Sequence, residues 1–171
     1  DELLESDQQS QETLYYRGTV ELYAQGNPQK ALTYFQQALA KDPKFVPALY
    51  DTAVAYRNIG DVEKAIETYE KALKIHPRFP EALSNLGGQY FRSGKFQEAV
   101  QSLEKAVKIF PNFIQALSNL GAVFNKLELF EQALPHLKKT VQVNPEFAIA
   151  HYNLGNAYFG LHQFQEAHTA F

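Results

Sequence analysis

The chain has 171 residues, 45% of them apolar and 13% aromatic, enough for one domain or a short repeat array with a packed core. Sixteen basic residues stand against 19 acidic ones, a formal net charge of −3. That balance argues against nucleic-acid binding, which goes with a strong basic excess, and against steering to anionic membranes.

The absence of cysteine excludes disulfides and thiolate metal sites and leaves the compartment open, with the cytoplasm slightly favoured over a periplasmic or other exported location. No uninterrupted apolar run approaches the ~18 residues of a membrane span, so no direct membrane insertion is expected. The start, Asp1-Glu2-Leu3-Leu4-Glu5-Ser6-Asp7, is acidic and has no initiator Met, so a fragment or processed form is expected.

Prolines set the organisation. Pro43, Pro77, Pro111 and Pro145 are 34 residues apart, each followed two positions on by Phe45, Phe79, Phe113 or Phe147. Ala31, Ala65, Ala99 and Ala133 keep the same spacing, as do Ala38, Ala72 and Ala106, a column that breaks at Thr140. A fixed period over the whole chain predicts an array of supersecondary units. They are read as a polar lead-in over 1–11, units over 12–45, 46–79, 80–113 and 114–147, and a partial unit over 148–171.

Each unit is predicted to hold two helices. In the first, Gly26-Asn27-Pro28 breaks the chain, with Asn27 as an N-cap and Pro28 at the first helical position. Gly60-Asp61 marks the same break in the second. In the third, Ala82, Leu83, Leu86 and Tyr90 form one helical stripe, and Ser93-Gly94-Lys95 interrupts it. Phe96, Ala99, Val100, Leu103, Ala106 and Val107 then share a face, and Pro111 closes the unit. In the fourth, Pro135 falls inside the second helix and is expected to bend it. In the fifth, Leu154, Tyr158, Phe164 and Ala167 carry an apolar face that further chain or another molecule is expected to cover. Small residues at Gly87, Gly121 and Gly155 predict close helix approach.

Leu83, Leu86, Gly87 and Tyr90, followed by Ala99, Ala106 and Pro111, resemble the tetratricopeptide repeat (TPR) family. The first unit departs most, with Gly18 and Thr19 where the family prefers Leu and Gly. The family's Trp is replaced by Tyr15, Leu49, Leu83, Leu117 and His151. The resemblance implies an all-α, right-handed superhelical solenoid of antiparallel helix pairs, its inner wall lined by the first helix of each pair. It implies a protein–protein interaction module, an adaptor or scaffold, and not an enzyme.

On the helix face turned away from the packing, one position repeats as Arg17, Asp51, Asn85, Asn119 and Asn153. A carboxamide offers both a donor and an acceptor, so an asparagine ladder can pair with the C=O and N–H of an extended peptide. It is similar to ladders in peptide-binding members of the family. Tyr16, Tyr50 and Tyr152, with Ser84 and Ser118, flank it. Tyr23, Arg57, Phe91, Asn125 and Phe159 follow a turn or more along, then Asn58, Arg92 and Lys126. Arginines and aromatics are where binding surfaces concentrate energy. Arg17, Arg57, Arg92 and Lys126 against Asp51 and Glu81 give a slight positive excess, so a mildly acidic peptide is the expected partner. Tyr16 and Val20 cannot supply the Lys and Asn clamp of chaperone-tail binders. Self-association through the terminal repeats, or service as the substrate-recruiting arm of a larger enzyme, are the alternatives.

Catalytic, metal and cofactor signals are weak. Gly88 to Lys95 has one residue too many for a phosphate loop, and Phe96 stands where Ser or Thr is needed. None of the five histidines pairs at the spacing of a helical zinc site. No catalytic residue, metal or cofactor is therefore assigned.

Overall fold

The structure, a computed structural model, describes residues 10–171, so most of the lead-in read over 1–11 lies outside the described residues. Among the described residues every regular element is helical, and no helix is long and apolar enough to cross a membrane. The chain forms two compact units, one up to Pro77 and one from Arg78 onward.

The first unit holds α1 (Gln11–Thr19), which runs on into a π-helical turn (Val20–Ala24), then α2 (Pro28–Lys41), α3 (Val46–Ile59) and α4 (Val62–Ile75). Side-chain caps start three of these helices. The Ser10 hydroxyl accepts from the Thr13 amide at 3.1 Å and caps α1. Asn27 accepts from Lys30 N–H at 3.2 Å with Pro28 next in line, and Asp61 accepts from Lys64 N–H at 3.1 Å. Gly60, at φ 85°, sits in the left-handed region that ends α3 without a Cβ penalty. Successive helices pack on one another in chain order. Leu14, Ala38 and Ala48 form a buried cluster flanked by Tyr15, Tyr34, Leu39 and Phe45, and Phe35 and Tyr69 are fully buried.

The second unit holds α5 (Pro80–Arg92), α6 (Phe96–Ile109), α7 (Ile114–Lys126), α8 (Phe130–Val143), α9 (Ala148–Gly160) and α10 (Phe164–Ala170). Each helix packs on its neighbours in sequence, and α7 also touches α5 and α9. That is a stack of antiparallel helix pairs with nearest-neighbour contacts, the architecture of a solenoid. Leu103, Leu120, Val123, Leu137 and Thr140 are its largest fully buried side chains. Thr140 takes the place of an alanine because its hydroxyl donates to the His136 carbonyl at 2.9 Å, so the buried oxygen is satisfied. Helix α8 continues past Pro135. Of the four residues expected to leave an apolar face open, Leu154 and Ala167 are buried, Tyr158 is half-buried and Phe164 is exposed.

The first unit corrects the sequence register. A Cβ on Gly87 or Gly121 would collide with Leu103 or Leu137, 16 residues on in both cases, whereas one on Gly18 would collide with Phe35, 17 residues on. The buried leucines agree: Leu49, Leu83 and Leu117 are 34 apart, but Leu14 precedes Leu49 by 35. One extra residue therefore lies between Gly18 and Phe35, and the π turn absorbs it. Gly18 is the small residue of the first pair, not a misplaced leucine, and Leu14 rather than Tyr15 fills the column of the family's Trp.

Candidate functional site

The residues singled out in the sequence fall into two sets, and each belongs to one unit. In the second unit, Asn85, Asn119 and Asn153 stand at equivalent positions of α5, α7 and α9, and all three are half-buried. The position one residue earlier is turned inward: Ser84 and Ser118 are buried, so they do not flank the ladder as expected, while Tyr152 is exposed. Asn125, in the last turn of α7, donates from Nδ2 to the Asn153 backbone carbonyl at 2.8 Å, and its Oδ1 is buried without a hydrogen-bond partner. The Asn119 and Asn153 carboxamides make no hydrogen bond among the described residues. Two amide groups at one register on touching helices thus keep both donor and acceptor capacity.

Aromatic and basic side chains surround them. Phe91 is half-buried with its ring 5.7 Å from that of Phe96, and Tyr152 is exposed with its ring 6.1 Å from Phe171. Phe159 is exposed too, its ring edge-on to Phe164. Arg92 reaches the buried Gln89 Oε1 at 3.5 Å, and Lys126 is exposed.

In the first unit, two sequence expectations need correcting. Asp51, expected to be a charge offered to a partner, is only 4% exposed. Tyr15 donates its hydroxyl to Asp51 Oδ2 at 3.0 Å, and Tyr23 donates to Oδ1. Burial pushes the Asp51 carboxyl above its usual range, and the two phenol hydrogen bonds pull it back. Burial first, then Asp51, hold the Tyr15 and Tyr23 hydroxyls well above the ordinary phenol range. The second correction follows from the π turn: the residue 35 before Asp51 is Tyr16, so Tyr16, not Arg17, occupies the ladder register. Arg17 instead lines a shallow cleft with Thr13, Tyr16, Val20, Glu21 and Tyr34. Tyr50 is half-buried, its ring 5.9 Å from Tyr69, and Arg57 holds Asn58 Oδ1 from Nε and Nη2 at 3.4 and 3.3 Å.

Stacked helix pairs of this length, with a small residue gating each contact and a polar register repeated on the first helices, define a class of repeat scaffold. The tetratricopeptide repeat profile matches residues 22–89, and a second TPR profile matches 88–128 and 124–161. The chain belongs to the tetratricopeptide repeat family. No curated protein sequence matches it. Among solved structures it is similar to MamA, with 27% identity over 90% of each chain and a TM-score of 0.84. It is similar in fold to MamA 41-end from Desulfovibrio magneticus RS-1, with 24% identity, 94% of this chain and 91% of that chain covered, and a TM-score of 0.86. It is also similar in fold to YrrB, titled a TPR protein with an unusual peptide-binding site, with 20% identity, 99% and 87% covered, and a TM-score of 0.83.

Proposed function

We propose that this chain is a non-catalytic interaction scaffold that holds an extended segment of a partner protein against the first helices of its second unit. The single observation that carries the reading is the pair of unpartnered carboxamides, Asn119 and Asn153, repeated on adjacent helices beside Asn85. Each can accept one backbone N–H and donate to one C=O, and contacts to main chain tolerate many side-chain sequences. Tyr152 and Phe159 add exposed aromatic surface, where binding energy concentrates. Exposed Arg92 and Lys126 against Glu81 favour a mildly acidic segment.

Magnitudes set the affinity. Hydrogen bonds contribute about 1 kcal/mol each, and ordering a flexible peptide costs several, so a few amide and aromatic contacts correspond to roughly micromolar binding. A peptide selected on the native chain from a random display library supplies the probe. Its affinity, read by fluorescence anisotropy, should fall at least about tenfold in the Asn119→Ala, Asn153→Ala double variant with helicity intact. Unchanged affinity in a folded double variant would remove the ladder from the mechanism.

A further inference from the structure

Asp51 is buried, and both of its oxygens accept phenol hydrogens, from Tyr15 and Tyr23, the arrangement of an ionised carboxylate. Among the described residues no cation is paired with it. The charged and polar groups acting on Asp51, Tyr15 and Tyr23 are one another, Tyr16 and Tyr50, and all of these are neutral or acidic. The ion pairs Lys30–Glu21, Lys64–Asp61 and Lys71–Glu67 are made by other carboxylates. Buried carboxylates are ordinarily paired with a cation, because phenol hydrogen bonds leave the net charge in place.

The aromatic side chains next to that charge are themselves exposed. Tyr16 is 64% exposed and Tyr23 is 61% exposed, although the Tyr23 hydroxyl is anchored on Asp51. The Tyr16 ring lies 5.5 Å from Tyr15. Phenol faces are electron-rich, and here a negative charge is held at the hydroxyl tips of Tyr15 and Tyr23, so both effects attract a cation. The π turn contributes to the cluster. Its extra residue shifts the register between Tyr15, in the helix before the turn, and Tyr23, within the turn, the two side chains that meet on Asp51. The equivalent positions in the second unit carry amides and apolar groups instead: Tyr23 corresponds to Phe91 and Asn125, and Asp51 to Asn85 and Asn119.

We propose that the Tyr15–Asp51–Tyr23 cluster, with the exposed Tyr16 ring, is a docking site for a basic side chain of a partner protein, an arginine by preference. A guanidinium stacks flat on phenol rings and sheds water more readily than an ammonium, which favours arginine over lysine. The partner's cation supplies the counter-charge that the fold leaves out. The site does not depend on the asparagines of the second unit, so either proposal can fail alone.

The test titrates the full chain with a capped Gly-Ser-Arg-Ser-Gly peptide and with its citrulline counterpart, which is equal in shape but uncharged. The readout is the tyrosine ring resonances in NMR. The arginine peptide should move the Tyr16 and Tyr23 signals and bind at least about fivefold more tightly than the citrulline peptide. The preference should vanish in Asp51→Asn and shrink in Tyr16→Ala, whose ring lies mostly in solvent and whose loss leaves the fold in place. It should survive in the Asn119→Ala, Asn153→Ala variant. Equal affinity for the two peptides in the native chain overturns the proposal. So does a preference that survives in Tyr16→Ala undiminished, an arm that decides the matter even where Asp51→Asn unfolds.

Discussion

His136 shows how one side chain couples this fold to pH. Its ring stacks on Phe124 at 5.8 Å and 17° between planes. Burial pushes its pKa below the ordinary histidine value, against a weaker upward pull from Glu104. The folded chain therefore binds this proton less readily than the unfolded chain does. As pH falls through about 6.5, the unfolded form takes up the proton first, so stability present above that pH is progressively lost on the acid side. His136→Phe keeps an aromatic ring but has nothing to titrate. The gap in melting temperature between that variant and the native chain should widen in the variant's favour between about pH 7.5 and pH 5. A gap that stays constant with pH would mean His136 contributes nothing to the acid sensitivity. Asp51 teaches the complementary lesson. Position alone puts it on the binding face, whereas in the fold it is buried and bonded to Tyr15 and Tyr23, 36 and 28 residues away. No local pattern carries that information.

At the scale of the element, adjacent glycines in α5 separate two roles that look the same in sequence. A Cβ on Gly87 would stand 2.6 Å from Leu103 Cγ, and Leu103 is fully buried and cannot move aside. A Cβ on Gly88 meets nothing within 4 Å. Gly88→Ala should therefore stabilise by about 0.5–1 kcal/mol, the helix-propensity difference. Gly87→Ala gains the same propensity but overpacks the contact at a cost of about 1–3 kcal/mol, so its net effect should be destabilising. Denaturation midpoints of the two variants should move in opposite directions; a shared direction would show that Gly87 does not gate the helix contact. The helix pairs themselves were legible because breakers and small residues recur at one period: Asn27-Pro28, Gly60-Asp61, and the alanines at 31, 65, 99 and 133. The π turn was not. Its extra residue sits after Gly18 in a continuous helical pattern, Thr19-Val20-Glu21-Leu22, that no further Gly or Pro punctuates, and from Leu22 onward the 34-residue spacing holds. A slip of one residue without a break leaves the period visible and misassigns every residue before it, which is why the 34-residue spacing points to Arg17 where Tyr16 stands.

For the molecule as a whole, the consequence of stacking is that stability is shared between neighbours and not pooled. In the second unit each helix packs on the next, and contacts beyond neighbouring pairs are confined to those of α7 with α5 and α9 among the substantial ones. Such a stack behaves as a row of local terms coupled through nearest-neighbour interfaces. Leu137 tests this. It is fully buried in α8 and fills the space above Gly121 in α7, so Leu137→Ala removes a large apolar group and leaves a cavity, at a cost of about 2–5 kcal/mol. In one closed core that loss would lower the protection of every buried amide alike. In a stack it falls on α8 and on the helices that touch it, α7 and α9, and reaches α5 only through the intervening interfaces. Native-state hydrogen exchange on the variant should accordingly show the largest loss of protection in α7–α9 and the smallest in α5. Equal acceleration across all helices of the unit would instead reveal a single cooperative core, and the layered reading of the fold's energetics would have to be abandoned.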